Sequence, residues 1–124
     1  MHKSRLAGFI IDCKTDDLDG AAAFWTQALG FKLKIHEDDP DYRNFDTGDL
    51  DLHVEVQQVD HPSRVHLVIV SDDIEAGAQP LERLGGKRIG TVKRWIVMEA
   101  PTGQRFCVVR PLSREFAEKA NVWK

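Results

Sequence analysis

Two stretches of this chain carry the same order of apolar and polar positions. Residues 8 to 33 read GFIIDCKTDDLDGAAAFWTQALGFKL, and residues 65 to 89 read VHLVIVSDDIEAGAQPLERLGGKRI. Each opens on a short apolar strand. An Asp-Asp pair follows, then Leu or Ile, an acidic residue and a helix of small residues ending in Leu-Gly. Asp17-Leu18-Asp19 superposes on Asp73-Ile74-Glu75, and Leu29-Gly30 on Leu84-Gly85, so the second helix is shorter by one residue. A fixed order of signals written twice is the mark of an internal repeat. Carboxylates at a helix start cap free N–H groups and meet the positive end of the dipole, so the Asp pairs read as caps. Gly30 and Gly85 stand where a helix ends in a left-handed residue. Pro80 lies inside the second helix and predicts a kink or a restart there.

Three strand-like stretches follow each helix, at about 31–36, 42–46 and 50–59, then at about 87–91, 94–99 and 104–110. Turn residues separate them, Asp-Asp-Pro and Thr-Gly-Asp in the first copy and Ala-Pro-Thr-Gly in the second. Each copy is therefore β-α-β-β-β, over about 6–59 and about 63–110, and the class is α+β. A terminal helix over about 113–120, capped by Ser113 and carrying Phe116, closes the chain. No linker is long enough to separate independent domains, so residues 1–124 read as one domain.

Alternation also assigns faces. Phe9, Ile11 and Cys13 are expected to pack on a helix, with Ile10 and Asp12 opposite. Leu52, Val54 and Val56 pack, leaving His53, Glu55 and Gln57. Val65, Leu67 and Ile69 pack, leaving His66, Val68 and Val70. Phe106 and Val108 pack, leaving Cys107 and Val109. A polar set results: Asp12, His53, Glu55, Gln57 and His66, with Cys107. A solvated sheet face explains His53 and Gln57 well enough. Glu55 and His66 each stand alone between apolar neighbours and are the better candidates to face a ligand. Trp95, Met98, Ile10, Val68 and Val109 are expected as apolar wall, whereas Trp25 beside Phe24 reads as core. Trp123 is assigned no role.

Composition narrows the function classes. The 124 residues are 42% hydrophobic and 30% charged, and no apolar run approaches membrane length. The 17 basic and 20 acidic side chains give a net charge of -3 without a basic cluster, which argues against nucleic acid. Cys13 and Cys107 lie in no CxxC spacing, and reduced thiols in a cytoplasmic protein are the simplest reading. Leu84-Gly85-Gly86-Lys87 follows a helix and so is not a phosphate-cradling loop.

Several spaced signals carry a family likeness. The Asp12-Cys13 strand end, Phe24-Trp25, Leu29-Gly30-Phe31, Arg64-Val65-His66-Leu67 and the run from Pro101 to Val109 resemble glyoxalase-like domains. These belong to the vicinal oxygen chelate superfamily, with the bleomycin-resistance proteins and extradiol dioxygenases. The likeness spans about residues 6 to 110. It implies two tandem modules in a cup-shaped, mostly antiparallel sheet, helices on the outer face, and a homodimer. It implies a small-molecule ligand but no single reaction, since the superfamily holds isomerases, dioxygenases, epimerases, thiol transferases and drug-binding proteins.

In metal-using members each copy supplies one ligand from its first strand and one from its last. Mapped here, these positions are Ile10, Glu55, His66 and Cys107. Ile10 ligates nothing, and a thiolate at Cys107 shifts the preference toward softer metals such as zinc. The site is therefore read as degraded and no cofactor is expected; if a divalent metal binds, Glu55, His66 and Cys107 are its donors. His53 joins them only by a register slip that buries Glu55. The turn Ala100-Pro101-Thr102-Gly103 also departs from the family's Asp-Pro-Glu-Gly. The resulting reading is a protein that sequesters or senses a small organic compound, with Asp12, His53, Gln57, Trp95 and Cys107 as ligand contacts. The alternative is a lyase, isomerase or dioxygenase with Glu55 and His66 as catalytic base and acid. A nucleophilic Cys107 ranks last.

Overall fold

The computed structural model describes residues 2–34, 39–92, 95–111 and 120–123. Among these the chain is α+β, with nine strands and two helices. In the first copy β1 (His2–Lys14), α1 (Leu18–Leu29), β2 (Lys32–Leu33), β3 (Tyr42–Asp46) and β4 (His53–Val59) follow in order. In the second come β5 (Arg64–Ser71), α2 (Ile74–Arg83), β6 (Lys87–Val92), β7 (Trp95–Glu99) and β8 (Arg105–Val109). The repeated β-α-β-β-β order is present. A ninth strand, β9 (Asn121–Trp123), comes last.

The chain divides into two compact units, Gly8–His66, and Met1–Ala7 with Leu67–Lys124. In the Gly8–His66 unit the strand order is β2-β3-β4-β1, antiparallel except for the parallel β1–β4 pair. Its core joins Ile11, Leu18, Ala22, Phe45, Val54 and Val56, with Phe9, Cys13, Trp25, Phe31 and Leu52 packed against it. Strand alternation therefore assigned this face correctly. The first copy's strand expected at 50–59 starts later, because a 3-10 turn at Gly48–Leu50 and a positive φ of 54° at Asp51 intervene. The stretch expected at 31–36 is strand only at Lys32–Leu33, and 35–36 lie outside the described residues.

In the other unit the order is β5-β8-β7-β6, parallel at β5–β8 and antiparallel elsewhere. Ala78, Ile96, Met98 and Val108 form its core, with Ile74, Leu81 and Phe106 around them. Met98, expected as pocket wall, is thus a core residue on the α2 side, one step out of phase with Trp95. The covering expected over β5 also fails. Val65 and Leu67 are 57% and 52% exposed, whereas Val68 and Val70 on the opposite face are buried. The Arg88 guanidinium ties the outermost strand β6 to α2, donating through Nη1 and Nη2 to Glu75 at 2.8 and 2.6 Å and through Nε to Glu82 at 2.8 Å. Those bonds hold the Glu75 carboxyl below its ordinary range.

The helix ends follow the chemistry read from sequence. Asp17 Oδ1 accepts from the Gly20 N–H and Asp73 Oδ1 from the Ala76 N–H, each at 3.0 Å, each worth about 1 kcal/mol. Gly30, at φ 75°, donates to the Thr26 carbonyl and ends α1. At α2 the Gly86 and Gly85 amides reach back to the Leu81 and Glu82 carbonyls, with Gly85 left-handed. The helix runs through Pro80 without a break. Gly77 brings α2 close to β5, since a Cβ there would meet Ser71 Oγ at 2.8 Å.

Trp123, which had no assigned role, lies in β9, paired antiparallel with His2–Ser4. Its indole N–H donates to Ser4 Oγ at 2.7 Å. The terminal helix expected at about 113–120 falls almost wholly outside the described residues.

Candidate functional site

The parallel β1–β4 register builds the site. Gly8 stands beside His53, Ile10 beside Glu55 and Asp12 beside Gln57. Laterally paired residues share a sheet face, so this face is opposite the one Phe9, Ile11, Val54 and Val56 present to α1. β3 extends the row, with Tyr42 beside Gln57 and Asn44 beside Glu55. Tyr42 and Asn44 were not read from the sequence, although the alternation of Tyr42-Arg43-Asn44-Phe45 around a buried Phe45 carries the signal.

Solvation does not account for this polar face. Asp12 is 2%, His66 8% and Glu55 9% exposed, whereas His53, Gln57, Tyr42 and Asn44 are half-buried. Buried polar groups are expected in partnership, and these form pairs. His66 Nδ1 lies 2.8 Å from Asp12 Oδ2, bridging residues 54 apart in the chain. His53 Nε2 is hydrogen-bonded to Glu55 Oε1. Arg64, on the same face of β5 as His66 and missed in the sequence, brings its Nε to 3.6 Å from Asp12 Oδ2. Asp12 Oδ1 is buried with no hydrogen-bond partner among the described residues.

Trp95 and Cys107 belong to the other unit. Trp95 is half-buried in register with Val92, while Cys107 is buried between Val97 and Val68. Cys107 thus aligns with a position two residues beyond His66 along β5. In the first copy the two mapped positions, Ile10 and Glu55, are direct neighbours. Cys13 Sγ sits 3.5 Å from the Ile11 carbonyl oxygen, and burial first, then the Asp12 charge, pushes its thiol above the ordinary range. Neither thiol suits nucleophilic work. At neutral pH both are expected to react with an aromatic disulfide reagent only slowly, and rapidly once the chain unfolds in guanidinium. A native thiol titrating at the unfolded rate would contradict this burial.

Residues 8–109 match the glyoxalase-like domain. The chain belongs to that family. No curated protein matches this glyoxalase-like chain. Solved structures share its fold at low identity. A hypothetical protein from Bacillus halodurans C-125 is 15% identical with a TM-score of 0.62, covering 90% of this chain and 96% of that one. Methylmalonyl-CoA epimerase from Mycobacterium tuberculosis is 17% identical with a TM-score of 0.60, covering 90% and 91%. The Mn(II)-bound glyoxalase from Novosphingobium aromaticivorans is 20% identical with a TM-score of 0.58, covering 90% of this chain but 44% of that one.

Within the Gly8–His66 unit the two donors mapped by the family likeness are Glu55 and His66. Ile10 brings no donor beside Glu55. Glu55 and His66 are already hydrogen-bonded to His53 and Asp12. Among the described residues, no three His, Cys, Asp or Glu side chains group as a metal site.

Proposed function

We propose that this glyoxalase-like chain binds a small, partly apolar organic molecule without a metal, on the polar face of its Gly8–His66 unit. The observation that carries the reading is the pairing of Glu55 with His53 and of His66 with Asp12, while Ile10 occupies the place beside Glu55. A few buried polar groups beside apolar wall is the usual make-up of a small-molecule site. His66 and Glu55 are the polar anchors, Asp12, His53 and Gln57 surround them, and Ile10 supplies apolar wall. The protein works in the cytoplasm as a homodimer with no nucleic-acid or membrane partner. Among the described residues no helix is long and apolar enough to cross a membrane.

Elemental analysis of the purified, untagged protein, followed by titration with nickel, zinc, manganese and iron, tests it. The expected result is no stoichiometric metal and no tight binding. Stoichiometric metal lost in His66→Ala or Glu55→Gln would replace this reading with a metal enzyme. One observation favours a second reading, that of an acid–base lyase or isomerase. His66 meets Asp12 through Nδ1, so Nε2 is left to take a proton, and Glu55 is the second proton carrier. Turnover that persists in chelator and is abolished by Glu55→Gln would establish it.

A further inference from the structure

We propose that Asp12 is a positioning residue that sets which nitrogen of His66 meets a ligand, so that the site selects molecules presenting a hydroxyl donor. The proposal rests on the small-molecule reading above. Asp12 Oδ2 lies 2.8 Å from His66 Nδ1. A carboxylate oxygen accepts, so the proton of this bond sits on Nδ1. A neutral imidazole carries one N–H, and Nε2 is therefore the acceptor. Free histidine favours the opposite tautomer, so the pairing reverses the imidazole's ordinary preference.

Asp12 is well placed to impose that choice. It is 2% exposed, held in the parallel ladder beside Gln57, and backed by Arg64 Nε at 3.6 Å. Its Oδ1 has no partner among the described residues. An unsatisfied buried carboxylate oxygen costs stability, and such costs persist where a site requires the group. Ile10 lies two residues before Asp12 on the same strand face, so apolar surface adjoins the Asp12 position. The ligand chemistry that suits this arrangement is an aromatic or apolar body with a hydroxyl, of which phenol is the simplest probe.

Long-range proton–nitrogen NMR correlation of the uniformly 15N-labelled full chain at pH 8 reads the tautomer directly. The expected wild-type pattern is a protonated Nδ1 and an unprotonated Nε2 at His66. Asp12→Ala is expected to move the proton to Nε2, which loss of packing alone would not do. If that variant does not fold, the wild-type spectrum still decides. A wild-type His66 protonated on Nε2, or a folded Asp12→Ala chain that keeps Nδ1–H, overturns the positioning role. Phenol is expected to shift the Nε2 resonance, and anisole, which lacks the donor, to leave it in place. Equal shifts from both, or none from phenol, overturn the ligand class. Stoichiometric metal would defeat the small-molecule reading instead, while leaving the apo tautomer as measured.

Discussion

Gly8→Ala is expected to cost about 3 kcal/mol or more, or to leave the chain insoluble. A Cβ at residue 8 would lie 1.9 Å from the His53 carbonyl oxygen and 2.6 Å from its carbon. Both are backbone atoms, so no side-chain rotation relieves the clash, and β1 must separate from β4. The consequence is chemical as well as structural. The Gly8–His53 step begins the register that places Ile10 beside Glu55 and Asp12 beside Gln57. Urea unfolding followed by circular dichroism measures the loss, with Gly90→Ala as the control, since a Cβ there meets nothing within 4 Å. A Gly8→Ala chain within about 0.5 kcal/mol of wild type, the usual range of a neutral surface change, would mean the strands do not approach as described.

His66→Ala is expected to be the second severe change, at about 3 kcal/mol. Removing the imidazole leaves the Asp12 carboxylate buried, among the described residues, with one oxygen already unpartnered and the other facing only Arg64 at 3.6 Å. Asp12→Ala should cost less, about 1–3 kcal/mol, because a neutral imidazole tolerates burial better than a lone carboxylate. The double variant should recover some of the sum, since no uncompensated charge then remains. The same urea experiment on all four chains gives the coupling. Additive costs would show that Asp12 and His66 do not act as a pair, and the ligand reading that depends on them would go with it.

Much of the fold was legible because its signals are local. A carboxylate three residues before a free amide caps a helix wherever the helix goes, and Asp17 and Asp73 do so. A glycine past the last turn ends it, as Gly30 and Gly85 do. Within the Gly8–His66 unit, alternation alone separated Ile11, Val54 and Val56 from Asp12 and Glu55, because side chains on a strand have a period of two. The same rule put His66 on the correct face. Pro80 shows the limit even for local rules, since packing of α2 on its strands outweighs the one lost backbone bond.

The sequence by itself determined the repeated β-α-β-β-β order, the helix ends, the faces of most strands and the membership of Asp12, Glu55 and His66 in one polar set. Tertiary structure decided how that set is used. The Asp12–His66 bond joins residues 54 apart, and no spacing rule predicts which strand lies beside which. The register decided that Ile10 adjoins Glu55 and that Cys107 adjoins Val68. Coverage decided that Val65 and Leu67 stay exposed while Val68 and Val70 are buried, and that Met98 is core. Alternation tells which of two faces a side chain takes, whereas burial and partnership depend on what non-local chain packs over that face.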